Sequence, residues 1–183
     1  MVTDRTWRPS SRSQWAVTVA TILVSAALAA GLPRVADATA PGDTAIAAGE
    51  RVESQGVSVE VPAGWVMPGD AVLLVLDKGS ANFLLFPPTA DPTSPTDAVT
   101  ASAALFTDAQ IGEATPFSTE SGLEGASIVV TDTGGETTML YAISDGANLA
   151  SGQASAPTDE WAAIEPEVQS MLGTIEITGV PSS

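Results

Sequence analysis

Val57-Ser58-Val59-Glu60-Val61-Pro62-Ala63-Gly64-Trp65 is the stretch that decides how this chain folds. Val57, Val59 and Val61 alternate with Ser58 and Glu60, the two-residue period of a strand with one buried face. Pro62 cannot donate to a strand ladder, and Pro62-Ala63-Gly64 breaks the period. Trp65 follows at the strand end, where its ring can anchor a core or stack on a ligand, and the core role is the reading adopted.

Toward the C-terminus the signals are dense. Ala71–Leu76 is a continuous apolar run too short for a helix, and it reads as a buried strand. Asp77-Lys78-Gly79-Ser80 carries turn chemistry, and Phe83–Phe86 resumes as the antiparallel partner. Pro87–Pro95 is a Pro, Thr and Ser loop. Ser94 then offers a helix N-cap, with Pro95 at the first helical position and Asp97 in the first turn. This helix is expected to reach about Ala109, with Ala98, Ala101 or Ser102, Leu105 and Phe106 facing inward. Three β-like segments follow, Thr115–Thr119, Ala126–Asp132 and Glu136–Ser144, the last two parted by a Thr133-Gly134-Gly135 turn. Asp145-Gly146 is a second hairpin signal and leads into Asn148–Ser155.

The last element has the clearest helical spacing: Trp161, Ile164, Val168, Met171 and Leu172 form one apolar stripe. Asp159 and Glu160 occupy its first turn, where the helix dipole favours anions. Pro166 is expected to divide it into two short helices, and Gly173 to end it before a β-like Thr174–Ile177. Two main helices and about six or seven strands joined by hairpins imply an α+β domain with a mostly antiparallel sheet. That domain is expected over 56–178, with 179–183 as a tail. Residues 39–55 show neither period and read as a linker, with a short helix near Ala45–Glu50.

A strand running into Pro62, Gly64 and Trp65, then a hairpin, a helix, a meander and a closing helix, resembles the Mog1/PsbP-like fold. Small exported actinobacterial proteins and lipoproteins share this layout, and the resemblance covers residues 56–177. It implies a non-enzymatic binding or accessory protein and carries over no functional residue. The chain departs from the lipoprotein members in having no cysteine to lipidate.

The N-terminus reads as an export signal. Arg5, Arg8 and Arg12 precede an uncharged run from Trp15 to Leu32, and Pro33 and the small-residue string Val35-Ala36-Asp37-Ala38-Thr39-Ala40 follow. Cleavage after Ala38 makes residues 1–38 a removed signal; retention of 15–32 makes them a single membrane anchor. Either way the basic flank stays cytoplasmic and the rest is exported.

Composition narrows the chemistry. Beyond residue 38 only Arg51 and Lys78 are basic, against 20 Asp and Glu, a net charge of −18. Such a surface repels nucleic acid and anionic lipid, which leaves a protein or small-molecule partner. The chain has no His and no Cys, so Ser-His-Asp triads, Cys-His pairs and ordinary zinc sites cannot be built. A Ser-Lys dyad would need Lys78, and the position three residues earlier is Val75.

The remaining candidates use carboxylates. Asp132-Thr133-Gly134 matches the aspartic-protease tripeptide, in the setting of a hairpin turn and without a second copy; a homodimer would supply one. It is the alternative, enzymatic reading. Asp77, Ser80 and Asn82 offer oxygens around a turn, as Asp91 to Asp97 do more weakly, without the spacing of an EF-hand loop. Glu165 and Glu167 flank Pro166 and read as a solvated face rather than an acid/base pair. There is no phosphate-binding loop, dinucleotide fingerprint or Asn-x-Ser/Thr site. The expectation is therefore a non-catalytic domain with no catalytic residue, no metal site and no cofactor.

Overall fold

Val57, Val59 and Val61 are completely buried, as their alternation dictates. They belong to strand β3 (Val57–Val61) of a computed structural model that describes residues 42–69, 71 and 73–179. The export signal, with the run Trp15–Leu32, lies outside the described residues. The partner of β3 corrects an expectation. Glu50–Ser54 (β2), inside the segment 39–55 expected to be a linker, pairs antiparallel with β3 from Glu50↔Val61 to Ser54↔Val57. Thr44–Ala45 (β1) also lies there, and no helix forms near Ala45–Glu50.

Two features hide β2 in the sequence. Val52 is its one apolar residue, because the other face of this edge strand meets water. Its turn is Gln55-Gly56, both at positive φ (51° and 83°), the backbone of a type I′ hairpin made without the usual Asn-Gly. Glu176–Ile177 (β13) completes this three-stranded sheet on the other side of β3. Arg51 ties the sheet together. Its guanidinium donates to Ser58 Oγ and to the Thr174 carbonyl, each at 3.1 Å, and faces Glu60 at 3.1 Å and Glu176 at 3.3 Å.

The larger sheet joins β1 to Val66–Met67 (β4), Leu74–Lys78 (β5), Ala81–Leu85 (β6), Thr89–Ala90 (β7), Gln110–Ile111 (β8), Thr115–Ser118 (β9), Glu124–Thr131 (β10), Glu136–Ser144 (β11) and Asn148–Pro157 (β12). The lateral order is β1-β4-β5-β6-β12-β11-β10-β8, with β7 also beside β12 and β9 also beside β10. Every pairing is antiparallel, so the α+β class is as expected. Strands outnumber the expected six or seven because β1, β4, β7, β8 and β13 are two residues each, too short to show a period. The β5–β6 hairpin turns at Gly79-Ser80 and pairs Lys78 with Ala81. Asp77 and Lys78, expected in the turn, are therefore strand residues.

Helix α1 (Pro95–Ala103) starts as read, with Ser94 Oγ accepting from the Asp97 N–H at 3.1 Å. It stops six residues short of Ala109, unwinding through tighter turns at Leu105 and Phe106. Val99, Ser102 and Ala103 are its buried face, and Leu105, expected inward, is 41% exposed. Helix α2 (Thr158–Thr174) runs on through Pro166. Ala162, whose carbonyl loses its donor there, is exposed and open to water, so the helix need not break.

The large sheet carries a packed core on each face. On one, Trp65, Leu74, Leu76, Phe83, Met139, Tyr141 and Ile143 pack with β3 and with Trp161, Val168, Met171 and Leu172 of α2. On the other, Val99 and Ala103 of α1 cover Ala126, Ile128, Val130, Leu140, Ala142 and Leu149. Each large side chain so buried contributes roughly 1.5–3 kcal/mol. Tyr141 lies flat across Gly152 and donates to the Leu84 carbonyl at 2.8 Å; a Cβ on Gly152 would meet that carbonyl at 2.2 Å.

Candidate functional site

The α2 side of the large sheet is not covered to its edge. Helix α2 packs on β12 and β3, and between its flank and the β8–β10 edge lies a half-open hollow of about 340 Å³. Strand alternation builds its floor. Ala126, Ile128 and Val130 of β10 face α1, which turns Ser127 and Val129 to the opposite side. Met139 of β11 joins them. One wall is Gly112, Glu113 and Thr115, where the chain passes from β8 to β9; the other is Glu165 and Gln169, one turn apart on α2.

The lining has two layers. Val129 and Met139 give an apolar floor, with Met139 1% exposed. Ser127 is 5% exposed, and its hydroxyl makes no hydrogen bond to a described residue. Around it stand the half-buried Glu165 and the exposed Glu113, Thr115 and Gln169. No lining residue is cationic. The arrangement can hold a molecule that donates hydrogen bonds, carries positive charge and buries an apolar part.

Glu167 has the opposite role, which corrects its reading as a solvated face. Its carboxylate accepts from the Trp65 indole N–H at 2.7 Å and from Lys78 Nζ at 2.7 Å to both oxygens. Burial works to raise the Glu167 carboxyl. The hydrogen bonds from Lys78 and Trp65, with the Lys78 charge, outweigh it and hold the group below the ordinary glutamate range. Lys78 also donates to the Ala63 carbonyl at 3.1 Å, which clamps the Pro62-Ala63-Gly64 turn. Trp65, 1% exposed inside the main core, is a structural anchor.

The other sequence candidates are engaged locally. Asp132 Oδ1 accepts from the Glu136 N–H at 2.9 Å, so the carboxylate of Asp132-Thr133-Gly134 closes its own hairpin. Asp77 accepts from Asn82 Nδ2 at 2.8 Å, while Ser80 donates to Glu160 of α2 instead of joining them. Asp91 accepts from the Thr93 N–H and Asp97 from Ser94 Oγ, each bracing its own turn. Asp145 takes the side-chain and backbone N–H of Asn148 and that of Ala147, which together hold its carboxyl below the ordinary aspartate range. Among the described residues no group of three carboxylates could hold a metal ion.

Sequence reasoning did not find the hollow. Its residues come from β10, β11, α2 and the β8–β9 link, which only strand pairing brings together. One local signal exists: Ser127 interrupts the apolar strand Ala126-Ser127-Ile128-Val129-Val130 on the face that α1 does not cover.

The antiparallel sheet, the α2 layer and the closing three-stranded sheet define a Mog1/PsbP-like fold. LpqN of Mycobacterium tuberculosis, described as involved in cell envelope biogenesis, superposes with a TM-score of 0.51 at 12% identity, over 75% of this chain and 91% of that one. Cyanobacterial PsbP (CyanoP) from Synechocystis matches with a TM-score of 0.49 at 13% identity, over 80% of this chain and 98% of its own. At these identities the likeness is one of fold. No protein-family model and no curated protein matches the sequence.

Proposed function

We propose that this chain is an exported, non-catalytic binding protein of the cell envelope, an accessory to a partner that it engages through the hollow between α2 and β10. One observation carries the reading: Ser127, 5% exposed and with no side-chain hydrogen bond to a described residue, lines a polar-rimmed, apolar-floored space. Ligand sites combine an apolar lining with a few convergent polar groups in this way. The basic flank, the run Trp15–Leu32 and the small residues before Ala40 support export. The involvement of LpqN in cell envelope biogenesis fits the same compartment. Without His or Cys, and with Asp132 closing its own turn, the chain offers a reaction few groups to work with.

A photo-crosslinking side chain placed at Gln169 on the hollow's wall, and in a second variant at Gly146 in the turn at the other end of β11, tests this in intact envelopes. A discrete adduct from position 169 and none from position 146 is the expected result. Equal labelling from both, or none from either, overturns the site. Hydrolytic turnover by the purified chain that Asp132→Asn abolishes overturns the non-catalytic reading.

A further inference from the structure

Resting on that reading of the hollow as a binding site, we infer that its ligand is a primary ammonium group on a short alkyl stem. A lysine side chain of a partner protein and a free alkyl diamine share this chemistry. The hollow holds two carboxylates on facing walls, Glu113 from the β8–β9 link and Glu165 from α2, and no cation. The two basic side chains of the domain are committed elsewhere: Arg51 bridges Glu60 and Glu176, and Lys78 holds Glu167. A positive charge in the hollow must therefore come from outside the domain.

The uncharged groups point the same way. An ammonium has three donors and no acceptor. The Ser127 and Thr115 hydroxyls, neighbours across the β9–β10 pairing, and the Gln169 carbonyl on α2 can all accept, so acceptors come from two sides of the hollow. A compact, freely rotating donor suits acceptors dispersed like this, whereas a planar guanidinium suits one carboxylate met edge-on. Ser127, 5% exposed, lines the hollow, and its hydroxyl makes no hydrogen bond to a described residue and is free to accept from an ammonium. Val129 and Met139 form a floor on which methylene groups can lie, and the unbranched Met139 adapts to their path. An anion would face two carboxylates, and a divalent metal would lack a third. The net charge of −18 beyond residue 38 draws cations toward this surface before any contact forms.

Titration of the full chain at physiological ionic strength tests this, read at the Met139 methyl resonance. The probes are cadaverine, N-acetyl-lysine methylamide and, as a neutral control, pentanol. Both amines should shift Met139 saturably and pentanol should not; the tighter of the two amines assigns the source as a free diamine or a protein lysine. Glu165→Gln and Glu113→Gln should each weaken amine binding about tenfold. Glu53→Gln, the same change of charge on β2, should leave it within about twofold. Thermal melts of all three variants check that the fold is kept. Equal weakening by Glu53→Gln would show that the amines answer to net charge alone and would overturn the inference. If pentanol shifts Met139 as strongly as the amines, the ammonium class falls while the hollow stands as a site. If no probe moves Met139, the inference falls, and adducts from position 169 then decide separately whether the hollow is a site.

Discussion

Glu165 and Glu167 stand two residues apart in α2, and the fold uses them in opposite ways. Two steps along a helix turn a side chain by about 200°, so one carboxylate faces the hollow and the other faces Trp65 and Lys78. At Glu167 both oxygens are taken by the indole N–H and the ammonium, and the joint locks the Pro62-Ala63-Gly64 turn against α2. At Glu165 no described side chain forms a hydrogen bond or ion pair, and Ser127, which lines the same hollow, likewise makes no side-chain hydrogen bond to a described residue. A carboxylate satisfied from within serves the fold. One that lines a half-open hollow with no protein partner is available to something else.

Four measurements break or sharpen this contrast. Trp65→Ala empties the main core at the joint and should cost about 3–5 kcal/mol in denaturant melts; a loss below about 1 kcal/mol would deny the indole its anchoring role. Glu167→Ala removes the acceptor of a buried N–H and should cost about 2 kcal/mol, with Glu167→Gln milder because its amide oxygen still accepts from Trp65.

Acid gives the third and smaller effect. The folded Glu167 carboxyl lies below its ordinary value, so its stabilisation is complete above the unfolded value of about 4.3 and is lost as pH falls through the folded one. Melting temperature should therefore fall more steeply below about pH 4.3 for the natural chain than for Glu167→Gln; parallel curves would show that the joint carries no linkage. Smallest of all, Glu165→Gln should change stability by no more than about 0.5 kcal/mol, and a larger loss would place Glu165 in the fold rather than the site.

What could be read in the sequence was local. The Thr133-Gly134-Gly135 turn, the Asp145-Gly146 turn and the Ser94 cap follow from neighbouring residues, and the strand between the two turns is found at Glu136–Ser144 as expected. Strand β2 escaped because Glu50, Arg51, Glu53 and Ser54 leave Val52 alone to signal a buried face. The hollow escaped for another reason: Ser127 looks like an ordinary polar interruption until β9 and β10 pair and α2 is seen to leave that part of the sheet uncovered. Glu167 reads as solvated in the sequence because its partners lie 89 and 102 residues away.

By itself the sequence determined the α+β class, the reliance on core burial without disulfides, the absence of imidazole and thiol chemistry, and a strongly acidic composition. Periodicity, turn chemistry and composition are short-range or summed properties, and a linear reading captures them. Only the tertiary structure decided which carboxylate closes a joint and which lines a hollow. That choice depends on which groups a side chain meets across the fold, and those meetings are made by strand register and helix packing.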